Sequence, residues 1–269
     1  MALFSGPFRR HPSDLGLNHR ALSKPPQAQV PARLATGLVA CGLLVGLGAP
    51  MARADTGVTI TSYGHSALLV QGGGTSVLLN PFKAVGCAAG LTPPRPGANV
   101  ILASSRLADE GAGGGGGRFL VNPGSYRLNG LAIEGIAAPH DRLGGRRFGQ
   151  ATLWRWKQGG LEIAHLGGTA AELLPADRVL LGRPDVLIIG VGGGAKVYDG
   201  AEAAAVVKVL APRRVIPVQY VTGKPPKDCD QGSLEPFLKA VGGTPVKRGG
   251  SSISLPAKLS DATQILVLR

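Results

Sequence analysis

The chain is poor in charged side chains, which make up 17% of its 269 residues, in aromatics, at 4%, and in cysteine, with three. So little charge beside long Val, Leu and Ile runs excludes a charge-driven disordered chain. Three cysteines are too few for a disulfide-built scaffold. Acidic residues number only 16 against 29 Lys and Arg. The basic residues nevertheless fall in pairs, Arg146-Arg147, Arg213-Arg214 and Lys247-Arg248, with no aromatic side chain interleaved. That pattern describes a solvated basic face, and no nucleic acid is expected as a partner. Glycine is abundant, at 42 residues, but has no Gly-X-Y period, so the chain is not collagen-like. With 44% hydrophobic residues it can bury one domain of about 200 residues or two small ones.

The first 54 residues stand apart from that core. Met1 to Pro31 is polar, sets Arg9, Arg10, Arg20 and Lys24 against Asp14, and carries no hydrophobic period. From Leu34 to Pro50 no residue is charged, and the run ends at Ala52-Arg53-Ala54, an A-x-A cleavage pattern. Residues 1–54 are therefore predicted to be a leader and export signal, cleaved after Ala54, with a single domain over 55–269. The protein is expected in a periplasm, a thylakoid lumen or outside the cell. A membrane anchor and a lipoprotein box at Leu38-Val39-Ala40-Cys41 are the alternatives, but the run is at the short limit for a bilayer. No stable anchor is expected after cleavage. The mature chain keeps 23 basic and 15 acidic residues, a net charge of +8. It also keeps Cys87 and Cys229, an even number in a compartment that permits disulfides.

Short β-branched runs with turn residues between them follow. Val58 to Ser62, Ala67 to Val70 and Ser76 to Leu79 predict an antiparallel meander. Asn99 to Ala103 predicts a buried strand, and Gly113 to Gly117 a loop, because five glycines cost too much backbone entropy to form an element. Phe119 to Val121, Leu131 to Ala137, Ala151 to Trp156 and Leu161 to His165 continue the strand series, with Trp154 and Trp156 on one face. Val186 to Gly190 and Arg214 to Val218 flank a helix, Ala201 to Leu210, stopped by Pro212, which makes a βαβ unit. A helix over Leu234 to Val241 and a strand over Gln264 to Leu268 close the pattern. No internal repeat is present.

Six segments then occur in one order: Tyr63-Gly64-His65-Ser66-Ala67, Leu78-Leu79-Asn80-Pro81-Phe82, Asn99 to Ser105 (NVILASS), Ala138-Pro139-His140, His165-Leu166-Gly167, and Val215 to Tyr220 (VIPVQY). This order resembles the metallo-β-lactamase superfamily, most of all its ascorbate-phosphate lactonase-like branch, over about Val58 to Tyr220. The resemblance implies a mixed α/β fold, a four-layer αβ/βα sandwich with a metal site at one edge. Carried onto this sequence, the HxH ligands of that site fall on Ser105 and Leu107, the Asp-His pair on Asp109 and Glu110, and the next ligand on His140. The bridging aspartate falls on Gly168 and the last histidine on Gln219. Two of these seven positions, Asp109 and His140, keep the family's residue.

A catalytic zinc needs three protein donors and an open position for water. Leucine and glycine provide none. The remaining metal candidates are Asp109, Glu110 and His140, with the amide oxygen of Gln219 as a fourth. That oxygen-rich set suits manganese, magnesium or iron better than zinc. The catalytic candidates are His140, Asp109 and Ser105. A metal-free triad of Ser104 or Ser105 with His140 and Asp109 or Asp141 has the right residue types but lacks the G-x-S-x-G elbow. His65 reads as a structural, hydrogen-bonding histidine and His165 as a packed strand-end residue. Gly190 to Ala195 fits a dinucleotide pattern only formally, since no helix opens directly after it, and reads as a loop lining the pocket.

The expected function is thus an exported member of the hydrolase family that has lost most di-metal ligands, a binding or accessory protein that reuses the pocket. The alternative is a lactone, ester or phosphoester hydrolase with one divalent ion, zinc, manganese or iron, at Asp109, Glu110 and His140. No cofactor is expected under the first reading. Arg106, Arg142, Arg146 and Arg147 on the rim hint at a small anionic ligand, and a protein partner is the other option. The resemblance also places Cys87 and Cys229 in two loops bordering the mouth of the site, where a bond between them would tie the rim.

Overall fold

A computed structural model describes residues 56–114 and 116–269, so the leader, the export signal and its cleavage point lie outside the described residues. The meander expected from the sequence is there: β1 (Val58–Ser62), β2 (Leu68–Gly72) and β3 (Thr75–Leu79) pair antiparallel. Gly73 and Gly74 turn the second hairpin with φ of +57° and +70°, the left-handed pair that a two-residue connection requires. β4 (Val100–Leu102) and β5 (Arg118–Leu120) then add parallel strands beyond β3.

The next strands form a second sheet. β6 (Gly124–Leu128), β7 (Leu131–Pro139), β8 (Gln150–Gln158) and β9 (Leu161–His165) run antiparallel. After the short helix α1 (Pro175–Leu181) come β10 (Val186–Gly190), α2 (Gly200–Leu210) and β11 (Arg214–Val218), the parallel βαβ unit. Asp199 caps α2 by accepting from the Ala201 and Glu202 N–H groups, and Glu202 reaches back to the Asp199 N–H. Helix α3 (Glu235–Ala240) and strands β12 (Val246–Arg248), β13 (Ser252–Leu255) and β14 (Gln264–Val267) complete the chain. The first sheet has the order β13-β1-β2-β3-β4-β5, and the second β12-β14-β11-β10-β9-β8-β7-β6.

The main core lies between the sheets. Ile60, Val70, Val77 and Leu79 of the first meet Ile133, Trp154, Trp156 and Ile188 of the second. Both tryptophans do lie on one face, and their N–H groups are satisfied in place, by the Ala103 carbonyl at 3.0 Å and by Gln158 Oε1 at 2.9 Å. A second core joins the outer face of the larger sheet to the three helices through Leu187, Ile189, Leu181, Val207 and Phe237. The outer face of the smaller sheet carries Leu69, Leu78 and Ile101, packed by Tyr63, Ala98 and Phe119 and by no described α-helix.

Helix α1 and strands β6, β12 and β13 are absent from the sequence reading. Helix α1 has only seven residues and leaves Val179 and Leu180 exposed, so it has no clean apolar period. Strand β6 did carry a signal, because Asn129-Gly130, with φ of +50° and +74°, is a hairpin turn.

Candidate functional site

The ends of β3, β4, β7, β9, β10 and β11 converge at one edge between the sheets. Asn80, in a left-handed conformation with φ of +40°, accepts from the Ser104 N–H at 2.7 Å and donates to Ser104 Oγ at 2.7 Å. This staples the end of β3 to the end of β4 and commits the Ser104 hydroxyl. Ser105 Oγ accepts from the Leu107 N–H at 3.0 Å and donates to Glu110 Oε1 at 2.6 Å. Both serines of the metal-free triad are therefore engaged away from His140.

Glu110 is the centre of the arrangement, wholly buried. Its Oε1 lies 2.9 Å from His140 Nε2, an ion-pair distance, although neither ring nitrogen makes a well-aligned hydrogen bond. Its Oε2 accepts from Gln219 Nε2 at 3.0 Å. Gln219 Oε1 in turn accepts from the Gly168 N–H at 2.9 Å. That bond fixes the amide so that its NH2 faces the carboxylate and its oxygen turns away. Burial pushes the Glu110 carboxyl up, but the close approach of His140, the Lys196 charge and the Ser105 hydroxyl outweigh it and hold it at about 2.

Glu110 also explains Gly168. A Cβ built at Gly168 would lie 2.5 Å from Glu110 Oε2 and 2.8 Å from its Cδ. The carboxylate of Glu110 thus fills the space into which a side chain at residue 168 would project.

Asp109 is held differently. Lys196, from the glycine-rich segment after β10, donates to both carboxylate oxygens at 2.8 and 2.7 Å, and the two side chains are only 11% and 12% exposed. Its ammonium also stands 5.9 Å from the centre of the Phe148 ring. In sequence, Lys196 after the glycine-rich run only approaches a phosphate-loop pattern, since Ala195 and Val197 stand where that pattern has Gly and Ser or Thr; in the fold it is the counter-charge of Asp109.

His165 is buried at its strand end with no partner on either ring nitrogen. Burial pushes it down to about 4 against the pull of the Glu110 charge. At His65, expected to be a structural, hydrogen-bonding histidine, Nε2 is buried without a partner and the ring packs edge-on against Phe82 at 6.0 Å. Burial lowers its pKa despite the nearby Asp109 and Glu110 charges. Its backbone carbonyl accepts from the Gln219 N–H at 2.9 Å. Asp141 accepts from the N–H groups of Leu143, Gly145, Arg147 and Phe148, so it organises its own loop.

The rim arginines divide. Arg142 is tied to Glu202 and to the carbonyls of Gly194 and Val197. Arg146 donates to the Leu143 carbonyl, and Arg147 lies 4.9 Å from the Phe148 ring centre. Arg106 is exposed and lines a small cleft of about 290 Å³ with Phe148 and Gln150. The disulfide between Cys87 and Cys229 joins two loops 142 residues apart in sequence.

These side chains do not fit a pair of metal ions. Leu107 and Gly168 carry no donor, the Gln219 oxygen is engaged by a backbone N–H, and a tethered ammonium holds Asp109. Among the described residues no group of three or more His, Cys, Asp or Glu is arranged to hold a metal ion.

The β-lactamase superfamily domain model matches residues 59–219, more than half of the chain. No curated protein sequence matches it. Its fold is similar to that of a candidate zinc-dependent hydrolase of the metallo-β-lactamase superfamily from Thermotoga maritima. The TM-score is 0.62 and the identity 23%, over 79% of this chain and all of that one. It is also similar to a candidate metal-dependent hydrolase from Parabacteroides distasonis, with a TM-score of 0.52 and 17% identity over 69% of this chain and 89% of the other. A third likeness is to CmlA, a diiron β-hydroxylase from Streptomyces venezuelae, with a TM-score of 0.50 and 15% identity over 75% of this chain and 54% of that one. Sequence model and fold agree, and the chain belongs to the β-lactamase superfamily, with the fold of its metallo-hydrolase members.

Proposed function

We propose that this protein is an exported member of the superfamily that works without catalysis, as a binding or accessory protein, its metal positions taken over by internal charge pairs. One observation carries the reading: Lys196 neutralises Asp109, while His140, Ser105 and Gln219 together satisfy Glu110. A hydrolase must activate water with a group free to take its proton or its charge. Here each carboxylate at the former metal positions already has its counter-group, and a metal would have to displace an ammonium at 2.7 Å to reach Asp109.

The second reading, a hydrolase with one ion at Asp109, Glu110 and His140, draws on the 2.9 Å approach of His140 to Glu110. Metal content separates the two. The purified full chain and its His140→Ala variant would be loaded in turn with zinc, manganese and iron, desalted, and assayed by inductively coupled plasma mass spectrometry. Neither protein is expected to retain metal. Near-stoichiometric metal in the parent that falls in the variant would establish the mononuclear hydrolase and overturn the binding-protein reading.

A further inference from the structure

Beside the buried network, which it meets at His65, a cavity of about 760 Å³ opens at the seam where the two sheets part. None of Ser105, Asp109, Glu110, His140 and Gln219 lines it. Its floor is apolar and drawn from both sheets: Leu68 of β2, Val218 of β11 and Val267 of β14, with Leu234 at the start of α3, all buried at 7% exposure or less. Apolar side chains that pack on one side and face a cavity on the other have lost part of their possible contact, which an apolar ligand would restore.

The rim differs in character. Lys224, Arg248 and Arg269 are exposed around the opening, against one acidic side chain, Glu235, which lies 3.4 Å from Arg248. The wall is also fixed in place. Cys87 lines the cavity and is bonded to Cys229, which closes the loop that carries Lys224 and Pro226, so the 86–91 segment and the 220–226 loop cannot separate. The Tyr220 hydroxyl donates to the Leu268 carbonyl at 3.3 Å and ties the same loop to the end of the chain. A preformed cavity spares a ligand the cost of ordering its walls.

We infer that this cavity is a binding site for a small amphiphile with an apolar body and one anionic head group, the body on the Leu68, Val218, Leu234 and Val267 floor and the head among Lys224, Arg248 and Arg269. This deepens the binding-protein reading by giving it a place and a ligand class. It does not depend on the metal result, because the two sets of residues do not overlap. A cavity of this volume lies within the range of small-molecule sites, ~300–1,000 Å³. The cationic rim selects for charge and the floor for length.

Decanoate, decanol and acetate are suitable probes, titrated calorimetrically into the full chain at low ionic strength. Decanoate is expected to bind with one-to-one stoichiometry, decanol about fivefold more weakly, and acetate not measurably, the factor being that of exposed charge pairs. Lys224→Ala, Arg248→Ala and Arg269→Ala together should bring decanoate down to the level of decanol. Leu91 is 38% exposed at the edge of the cavity, so Leu91→Trp fills the opening without disturbing the core and should remove decanoate binding while leaving the melting temperature unchanged. Absence of decanoate binding overturns the proposal, as does binding unaffected by Leu91→Trp, which would place the ligand elsewhere. Equal affinity for decanol and decanoate would identify an apolar groove for another occupant and equally sink the anionic assignment. Metal retention in the separate loading experiment would bear on the proposed function alone.

Discussion

Gly168→Ala tests whether the Glu110 carboxylate occupies the space of the side chain absent at residue 168. The added methyl would sit 2.5 Å from Glu110 Oε2, in a residue whose φ of +73° is strained for any side chain. The backbone part costs about 1–3 kcal/mol and the overpacking about 1–3 kcal/mol more. The carboxylate cannot swing aside cheaply, because Ser105, His140 and Gln219 hold it from three directions. A total loss of roughly 2–6 kcal/mol is expected. In a Glu110→Ala background the same methyl meets no carboxylate, and only the backbone part remains. The cycle of parent, two single variants and double variant should therefore show a coupling of about 1–3 kcal/mol, the double variant being more stable than the sum of the single losses. Urea unfolding at neutral pH measures it, with midpoints converted through a shared slope. Losses that add to within about 0.5 kcal/mol would mean that Glu110 does not fill the space beside Gly168.

Lys196→Met keeps most of the side-chain volume and leaves Asp109 without its counter-charge; about 3 kcal/mol of stability should be lost, the low end for breaking a buried pair. Asp109→Asn added to it should restore part of that loss, and no restoration would show that Lys196 acts by packing alone. The Glu110 carboxyl is held at about 2 against an ordinary 4.5, so its contribution, about 3 kcal/mol, is fully present above pH 4.5 and is lost as pH falls towards 2. His165, pushed from 6.5 to about 4, stays neutral in the fold while the unfolded chain takes up a proton, so stability also declines from pH 6.5 down to 4. Unfolding midpoints across pH should show both limbs, with Glu110→Gln flattening the lower and His165→Gln the upper. Reduction should add the mass of two hydrogens to the intact protein, and Cys87→Ser with Cys229→Ser should cost about 5 kcal/mol for a separation of 142 residues in the chain-entropy account. An unchanged mass would mean that the bond does not form.

Much of the fold was legible in the sequence because strands and helices are encoded by near neighbours. The alternation through Trp154 and Trp156 placed both rings in one core, and the spacing of Val186 to Val218 placed α2 between two parallel strands. The elements that escaped were those whose local pattern is too short or too polar, as in α1, and in β12, whose three residues are all exposed. The ordered segments from Tyr63 to Tyr220 also marked the family.

The chemistry of the pocket depends instead on contacts between residues far apart in the chain. Lys196 is 87 residues from Asp109, and Gln219 is 109 from Glu110. Residue types alone left Asp109, Glu110 and His140 open as metal ligands, and Ser105 and His140 open as catalytic partners. Only the path of the backbone decides that the ammonium reaches Asp109, that the Ser105 hydroxyl turns to Glu110, and that the carboxylate lies over Gly168. Which donors exist can be read from the chain, but which of them meet depends on the fold, because charges separated by a hundred residues are paired by the packing of two sheets and not by any local rule.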